Sequence, residues 1–175
     1  MITMDTASKI VDEYRDKERR QWNLIVYNVP EPESANSTVR KASDRDFFNS
    51  LVNTIGVGPV DIANIVRLGS KTPNKIRPLR VQCNNMKQRR SVLANAKKLR
   101  DASSSIFKKV YVNPDLSQKQ RQIQRDLRQE VARRKEAGET GLFIRRGRIV
   151  KQSRPSSHPP TVAMEQQNAY QQSCQ

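Results

Sequence analysis

The stretch Trp22-Asn-Leu-Ile-Val-Tyr-Asn-Val29 constrains the fold more than any other part of the sequence. It is crowded with β-branched and aromatic residues, which suit a half-buried extended chain, and Pro30 ends it because proline has no N–H for the strand ladder. Alternation sends Trp22, Leu24 and Val26 to one face and Asn23, Ile25 and Tyr27 to the other. A lone strand is not stable in water, so the chain must supply partners for this one.

The partners are legible downstream. After a Pro/Ser-rich loop, Ala42, Phe47, Phe48, Leu51, Val52 and Ile55 recur with helical period, predicting a helix over roughly Val39 to Thr54 with Gly56 past its end. Residues 61–68 read as a short strand, and residues 69–77 as a basic loop. Pro78-Leu-Arg-Val-Gln-Cys83 alternates, with Leu79, Val81 and Cys83 inward and Arg80 and Gln82 outward. A second helix spans Met86 to Leu99, capped by Asn84 or Asn85. Ile106 to Val112 reads as a fourth strand. The order is β-α-β-β-α-β over residues 22–113, the split βαβ or ferredoxin-like order of an α+β sandwich. It predicts helices on one face of the sheet, with the other face open to a ligand and the first and third strands central.

Residues 114–151 form a second unit. Ser117 and Gln120 make a capping-box pattern ahead of a helix that runs to about Ala137 and stops at Gly138. Residues 142–150 then predict a hairpin around Arg146-Gly147. Residues 1–21 read as a short mixed-charge helix or leader, and residues 152–175, dominated by Ser, Pro and Gln, as a disordered tail.

Charge decides the class of partner. The 175 residues carry a net charge of +16, and residues 67–151 alone carry +18, within the segments patterned for folding. Such a surface favours polyanions, above all nucleic acid. Other classes recede. No apolar run approaches the roughly 18 residues of a membrane span, and Met1–Ile10 lacks a secretory apolar stretch. Cys83 and Cys174 do not make a disulfide framework, which fits a reducing intracellular compartment. The single histidine, His158, lies in the tail, so neither a zinc cluster nor a triad has a candidate. Asp44 and Asp46 form a D-x-D pair, but they sit in the first turns of a predicted helix, where acids suit the dipole. No catalytic residue, metal or cofactor is expected.

Base stacking on such a sheet needs aromatics at outward positions of the central strands. Here the outward set is Ile25, Tyr27, Pro78, Arg80 and Gln82, and the Gly/aromatic octamer of sequence-reading domains is absent. Arg80 stands where a stacking ring would often sit, and a guanidinium can stack and pair with phosphate. The mode is therefore electrostatic, with limited stacking and weak sequence preference. With about 6–8 phosphates neutralised, affinity should fall by about 10³-fold or more between about 50 and 200 mM salt.

Several segments in order carry a family resemblance: residues 23–31 (NLIVYNVPE), 67–69 (RLG), 77–81 (RPLRV), 92–99 (VLANAKKL), 110–117 (VYVNPDLS), 133–138 (RRKEAG) and 143–150 (FIRRGRIV). The series resembles the first-open-reading-frame proteins of LINE-type (non-LTR) retrotransposons over roughly residues 19–151. That resemblance implies an RNA-recognition-motif domain with a small C-terminal domain. It also implies binding of single-stranded RNA, and of single-stranded DNA as a second ligand, with ribonucleoprotein packaging and nucleic-acid chaperone activity in the cytoplasm or nucleus. It implies homo-oligomers where a long coiled coil precedes this region; about 20 residues stand there in this chain. In the family, arginines of the second helix region and the C-terminal domain contact the nucleic acid, and Arg89, Arg90, Arg133, Arg134, Arg145, Arg146 and Arg148 fit those places. The remaining candidates are Tyr27, Arg67, Lys71, Lys75, Arg77, Arg80, Lys87, Lys109, Tyr111 and Arg125. A protein-interaction module and a non-catalytic fragment of an endonuclease–reverse-transcriptase polypeptide are the alternatives.

Overall fold

The computed structural model describes residues 4–73 and 75–152. The chain divides into two compact units after Ile123. Of the tail expected over residues 152–175, residues 153–175, with His158 and Cys174, lie outside the described residues.

The first unit opens with α1 (Met4–Arg20), which buries none of its residues. Strand β1 (Asn23–Tyr27), helix α2 (Ser37–Thr54), β2 (Ile62–Arg67), β3 (Leu79–Cys83) and α3 (Met86–Asn95) follow. A 3-10 turn (Ala96–Asp101), a single helical turn α4 (Ser105–Lys108), β4 (Tyr111–Pro114) and α5 (Gln118–Glu136) complete the order up to the hairpin. The architecture is α+β, with one antiparallel sheet in the order β2-β3-β1-β4, so β1 and β3 are central.

Local chemistry explains the boundaries. β1 stops at Tyr27 because Asn28 turns to φ 62°, and its side-chain amide donates to the Lys109 carbonyl at 2.8 Å. α2 starts two residues before the periodicity suggests, because the Asn36 side chain caps it by accepting from the Thr38 N–H at 2.8 Å. Asn85 caps α3 in the same way, accepting from Lys87 and Gln88.

The expected strand over 106–112 is corrected. Its first half is helical, with the Phe107 ring edge-on to Phe47 (centroids 5.3 Å apart), and the strand begins only at Tyr111. A short apolar window of this kind fits a helical turn as well as a strand, and tertiary packing decides. The strand then extends to Pro114, which is tolerated because β4 is an edge.

The core lies between the sheet's inner face and α2 and α3. Leu24, Val26, Phe48, Leu51, Val52, Leu79, Val81 and Val92 are fully buried there. Each such side chain gains roughly 1.5–3 kcal/mol by leaving water, so truncating Phe48 to alanine should cost about 3–5 kcal/mol.

In the second unit, α5 continues past the division and ends at Gly138, whose φ of 91° suits a glycine stop. The hairpin of β5 (Leu142–Arg145) and β6 (Arg148–Lys151) follows. Its turn residues Arg146 and Gly147 have φ of 50° and 72°, both positive as a type I′ turn requires. The capping box also forms: Ser117 Oγ accepts from the Gln120 N–H and Gln120 Oε1 accepts from the Ser117 N–H.

Candidate nucleic-acid interface

The face of the sheet turned away from the core is built from alternate positions of four strands. Register places Val66, Arg80, Ile25 and Asn113 in one row, and Tyr27 opposite Tyr111 in the next. The open face expected from sequence is open only in part. Ile25 is 5% exposed, and Asn23 is also buried.

One end of this face is held by an ionic network. Arg20, at the close of α1, donates to Asp16 and, at 2.8 Å, to Asp115. The Asn23 side chain donates to the other Asp115 oxygen at 3.0 Å. Burial opposes the Arg20 charge, but its hydrogen bonds to both carboxylates outweigh it and hold its pKa above the ordinary arginine value. Glu13 accepts from Ser117 Oγ at 2.6 Å and so fastens α1 to the start of α5.

The cationic candidates separate by whether the protein already engages them. Arg67 projects inward at the sheet edge. It donates to both Asp44 oxygens and to the carbonyls of Val29 (2.7 Å), Pro30 (2.7 Å) and Arg77 (3.0 Å). Its side chain is 7% exposed and that of Asp44 is 6%. Arg67 is therefore engaged as an internal clamp, its donors taken up by carbonyls and a buried carboxylate. The same bond removes Asp44 from any D-x-D metal pair, and no cluster of metal-ligating side chains occurs among the described residues.

Arg77 pairs with Glu31 at 2.8 Å, and Glu31 also accepts from the Arg77 backbone N–H. The Arg77 side chain holds the Glu31 carboxyl down to about 2. Arg89 donates to the Asn23 carbonyl at 3.0 Å, and burial lowers its pKa from the ordinary arginine value. Arg133 and Arg134 both engage Glu130, and Arg125 is also engaged within the chain. These five are partly or wholly occupied by intramolecular partners. Exposed ones such as Arg133 can exchange partners, since a surface ion pair is worth only about 0–1 kcal/mol.

The other candidate cations have no ion pair or side-chain hydrogen bond among the described residues. Lys71 and Lys75 stand exposed in the loop between β2 and β3. Lys87 and Arg90 lie at the start of α3, where no acid occurs in the first turn, so they add to the positive end of the helix dipole. Lys109 precedes β4, and Arg80 sits half-buried in the middle of the sheet face. In the second unit Arg145 lies directly opposite Arg148, with Arg146 at the turn. Like charges at opposed positions destabilise a hairpin, so an anion between them would relieve that cost.

Tyr27 and Tyr111 are 38% and 55% exposed. Cys83 is inert by comparison, because burial pushes its thiol up to about 11. Among the described residues no helix is long and apolar enough to cross a membrane. Sequence reasoning did not find the Asp44–Arg67 and Arg20–Asp115 pairs. Their partners stand 23 and 95 residues apart, and no local pattern joins them. No protein-family model and no curated protein matches the chain.

Proposed function

We propose that this chain binds single-stranded nucleic acid, RNA foremost, with low sequence specificity. Its ferredoxin-like, RNA-recognition-motif-type sheet acts with the helix-and-hairpin unit, and the context is ribonucleoprotein packaging and strand annealing for a LINE-type retrotransposon. The observation that carries this reading is the unengaged Arg80. It is a guanidinium in the middle of a sheet face, with no carboxylate or carbonyl partner among the described residues, in a protein that pairs Arg67, Arg77 and Arg89 internally. A half-buried cation left without an anion suits an anionic ligand better than it suits stability. The strand order β2-β3-β1-β4, with β1 and β3 central, supports the same reading, as do the unengaged lysines and arginines that each unit carries.

The test is equilibrium binding of the whole chain to matched single-stranded RNA, single-stranded DNA and duplex across a salt series. For about 6–8 neutralised phosphates on a single strand, log affinity should fall with log salt at a slope of about −4 to −6. Single strands should bind more tightly than duplex. A slope near zero, or a clear preference for duplex, overturns the proposal.

A further inference from the structure

The turn of the hairpin holds one arginine where an enzyme can reach it end-on. Arg146 is the first turn residue, at φ 50°, and Gly147 follows at φ 72°. β5 ends at Arg145 and β6 begins at Arg148, so both turn residues lie outside the strands. Arg146 is exposed, and its guanidinium has no ion pair or hydrogen-bond partner among the described residues. Beyond its chain neighbours, a Cβ at Gly147 would meet no atom of the described residues within 4 Å, so nothing crowds the turn there.

That combination singles out Arg146. Arg67, Arg77 and Arg89 are engaged by carbonyls or carboxylates. Arg90 and Arg121 are carried on helices, and Arg145 and Arg148 on strands, where regular backbone runs past the side chain on both sides. Among the described arginines only Arg146 sits on a turn, and Arg146-Gly147 is the one Arg-Gly pair in the sequence. An enzyme that modifies a guanidinium must draw the whole side chain into a channel, because the reacting nitrogens lie at its far end. The backbone on either side must then bend away from the channel mouth. A two-residue turn supplies that bend, and the missing Cβ of Gly147 lets the backbone approach closely. Arg145 and Arg148, opposed on the strands that flank the turn, give the surroundings a positive charge that suits an acidic enzyme surface.

We infer that Arg146 is a methylation site, modified by an arginine methyltransferase that uses S-adenosylmethionine, and that the modification loosens the hairpin's hold on phosphate. A guanidinium nitrogen attacks the methyl carbon of the sulfonium donor. The N–C bond forms as the S–C bond breaks, the sulfur keeps the bonding pair as the thioether S-adenosylhomocysteine, and the nitrogen sheds one proton. The positive charge survives, but each methyl group replaces an N–H donor and blocks bidentate pairing with a phosphate. The effect on binding, unlike the modification itself, rests on the single-strand reading. Counterion release counts charges, so the salt slope should stay as it is while affinity falls.

The full folded chain is incubated with methyl-labelled S-adenosylmethionine and an arginine methyltransferase that accepts glycine-flanked arginines, and the label is located by tandem mass spectrometry. Label should appear at Arg146 in the wild type and in the Arg145→Lys and Arg148→Lys variants. It should be absent from Arg146 in the Arg146→Lys variant, which keeps the charge. An unlabelled wild type, in a reaction that labels a Gly/Arg-rich control peptide, overturns the site. Label spread evenly over Arg145, Arg146 and Arg148 overturns the role of the turn in selecting it. The methylated protein should bind single-stranded RNA about two- to five-fold more weakly than the unmodified protein, the range of one exposed ionic contact, at an unchanged salt slope. Equal affinity of the two forms overturns the effect on binding. An unmodified protein that binds no single strand overturns the single-strand reading and leaves the methylation site standing.

Discussion

Replacing Arg67 with methionine separates a stabilising arginine from a binding one. The guanidinium holds the buried Asp44 carboxylate and three backbone carbonyls, those of Val29, Pro30 and Arg77. Methionine fills similar volume and restores none of these bonds. Removing one partner of a buried ion pair costs about 3–5 kcal/mol, because the remaining charge stays away from water. For a domain of this size, about 3–5 °C of melting temperature is lost per kcal/mol. Arg67→Met should therefore melt about 10–20 °C lower, and adding Asp44→Asn should recover part of the loss. At low temperature, where the variant remains folded, its affinity for single-stranded RNA should stay within about two-fold of wild type. Arg80→Ala should do the reverse. Its melting point should barely move, as for a surface change of about ±0.5 kcal/mol, while the salt slope shrinks by about 0.7. Calorimetry and fluorescence anisotropy on the wild type and these variants decide the matter. An Arg67→Met protein that melts like the wild type but binds poorly refutes the division between clamp and contact.

Three other outcomes follow from the same structure. Glu31 is held to about 2 by Arg77, below its ordinary 4.5, so its contribution to stability is complete above about pH 4.5 and is lost as pH falls towards 2. Urea midpoints at pH 6 and pH 3 should differ less for Glu31→Gln than for the wild type, and equal differences would remove Glu31 from the acid limb. Gly147→Ala places a side chain at φ 72° and should cost the hairpin roughly 1–2 kcal/mol, visible as weakened Phe143–Val150 cross-strand contacts by NMR. Reversing Arg145, Arg146 and Arg148 to glutamate should abolish strand annealing while circular dichroism is preserved. Unchanged annealing would exclude the hairpin from the interface.

What could be read in the sequence was local. The β-branched run at 23–27, the inward Leu79, Val81 and Cys83, the Ser117–Gln120 box and the Arg146-Gly147 turn each depend on neighbours within a few residues, and each appears in the fold. The misread segment at 106–112 is one where local preference is ambiguous and a distant ring, Phe47, settles the outcome. The candidate site was harder to read, because sequence counts cations but not their partners. Arg67 and Arg80 both stand in the basic stretch, one committed to Asp44 and the other unengaged. Strand parity separates them. Arg67 shares the inner row with Leu79, and Arg80 shares the outer row with Ile25. The signal was therefore present, but only once the register of β2 was known, and the irregularity between Ile62 and Asn64 hides that register.

The corner where Arg20 and Asn23 meet Asp115 has a mechanical consequence. β1 begins beside the point where β4 ends, with Leu24 opposite Pro114, so the chain enters and leaves the sheet at one place. A pull between α1 and the first turn of α5 would load the Arg20–Asp115 and Glu13–Ser117 bonds before any rung of the sheet. Those few side-chain contacts would act as a fuse. Tension along a threaded strand or a tethered neighbour would release α1 first and leave the four-stranded ladder, with the tyrosine pair it carries, intact.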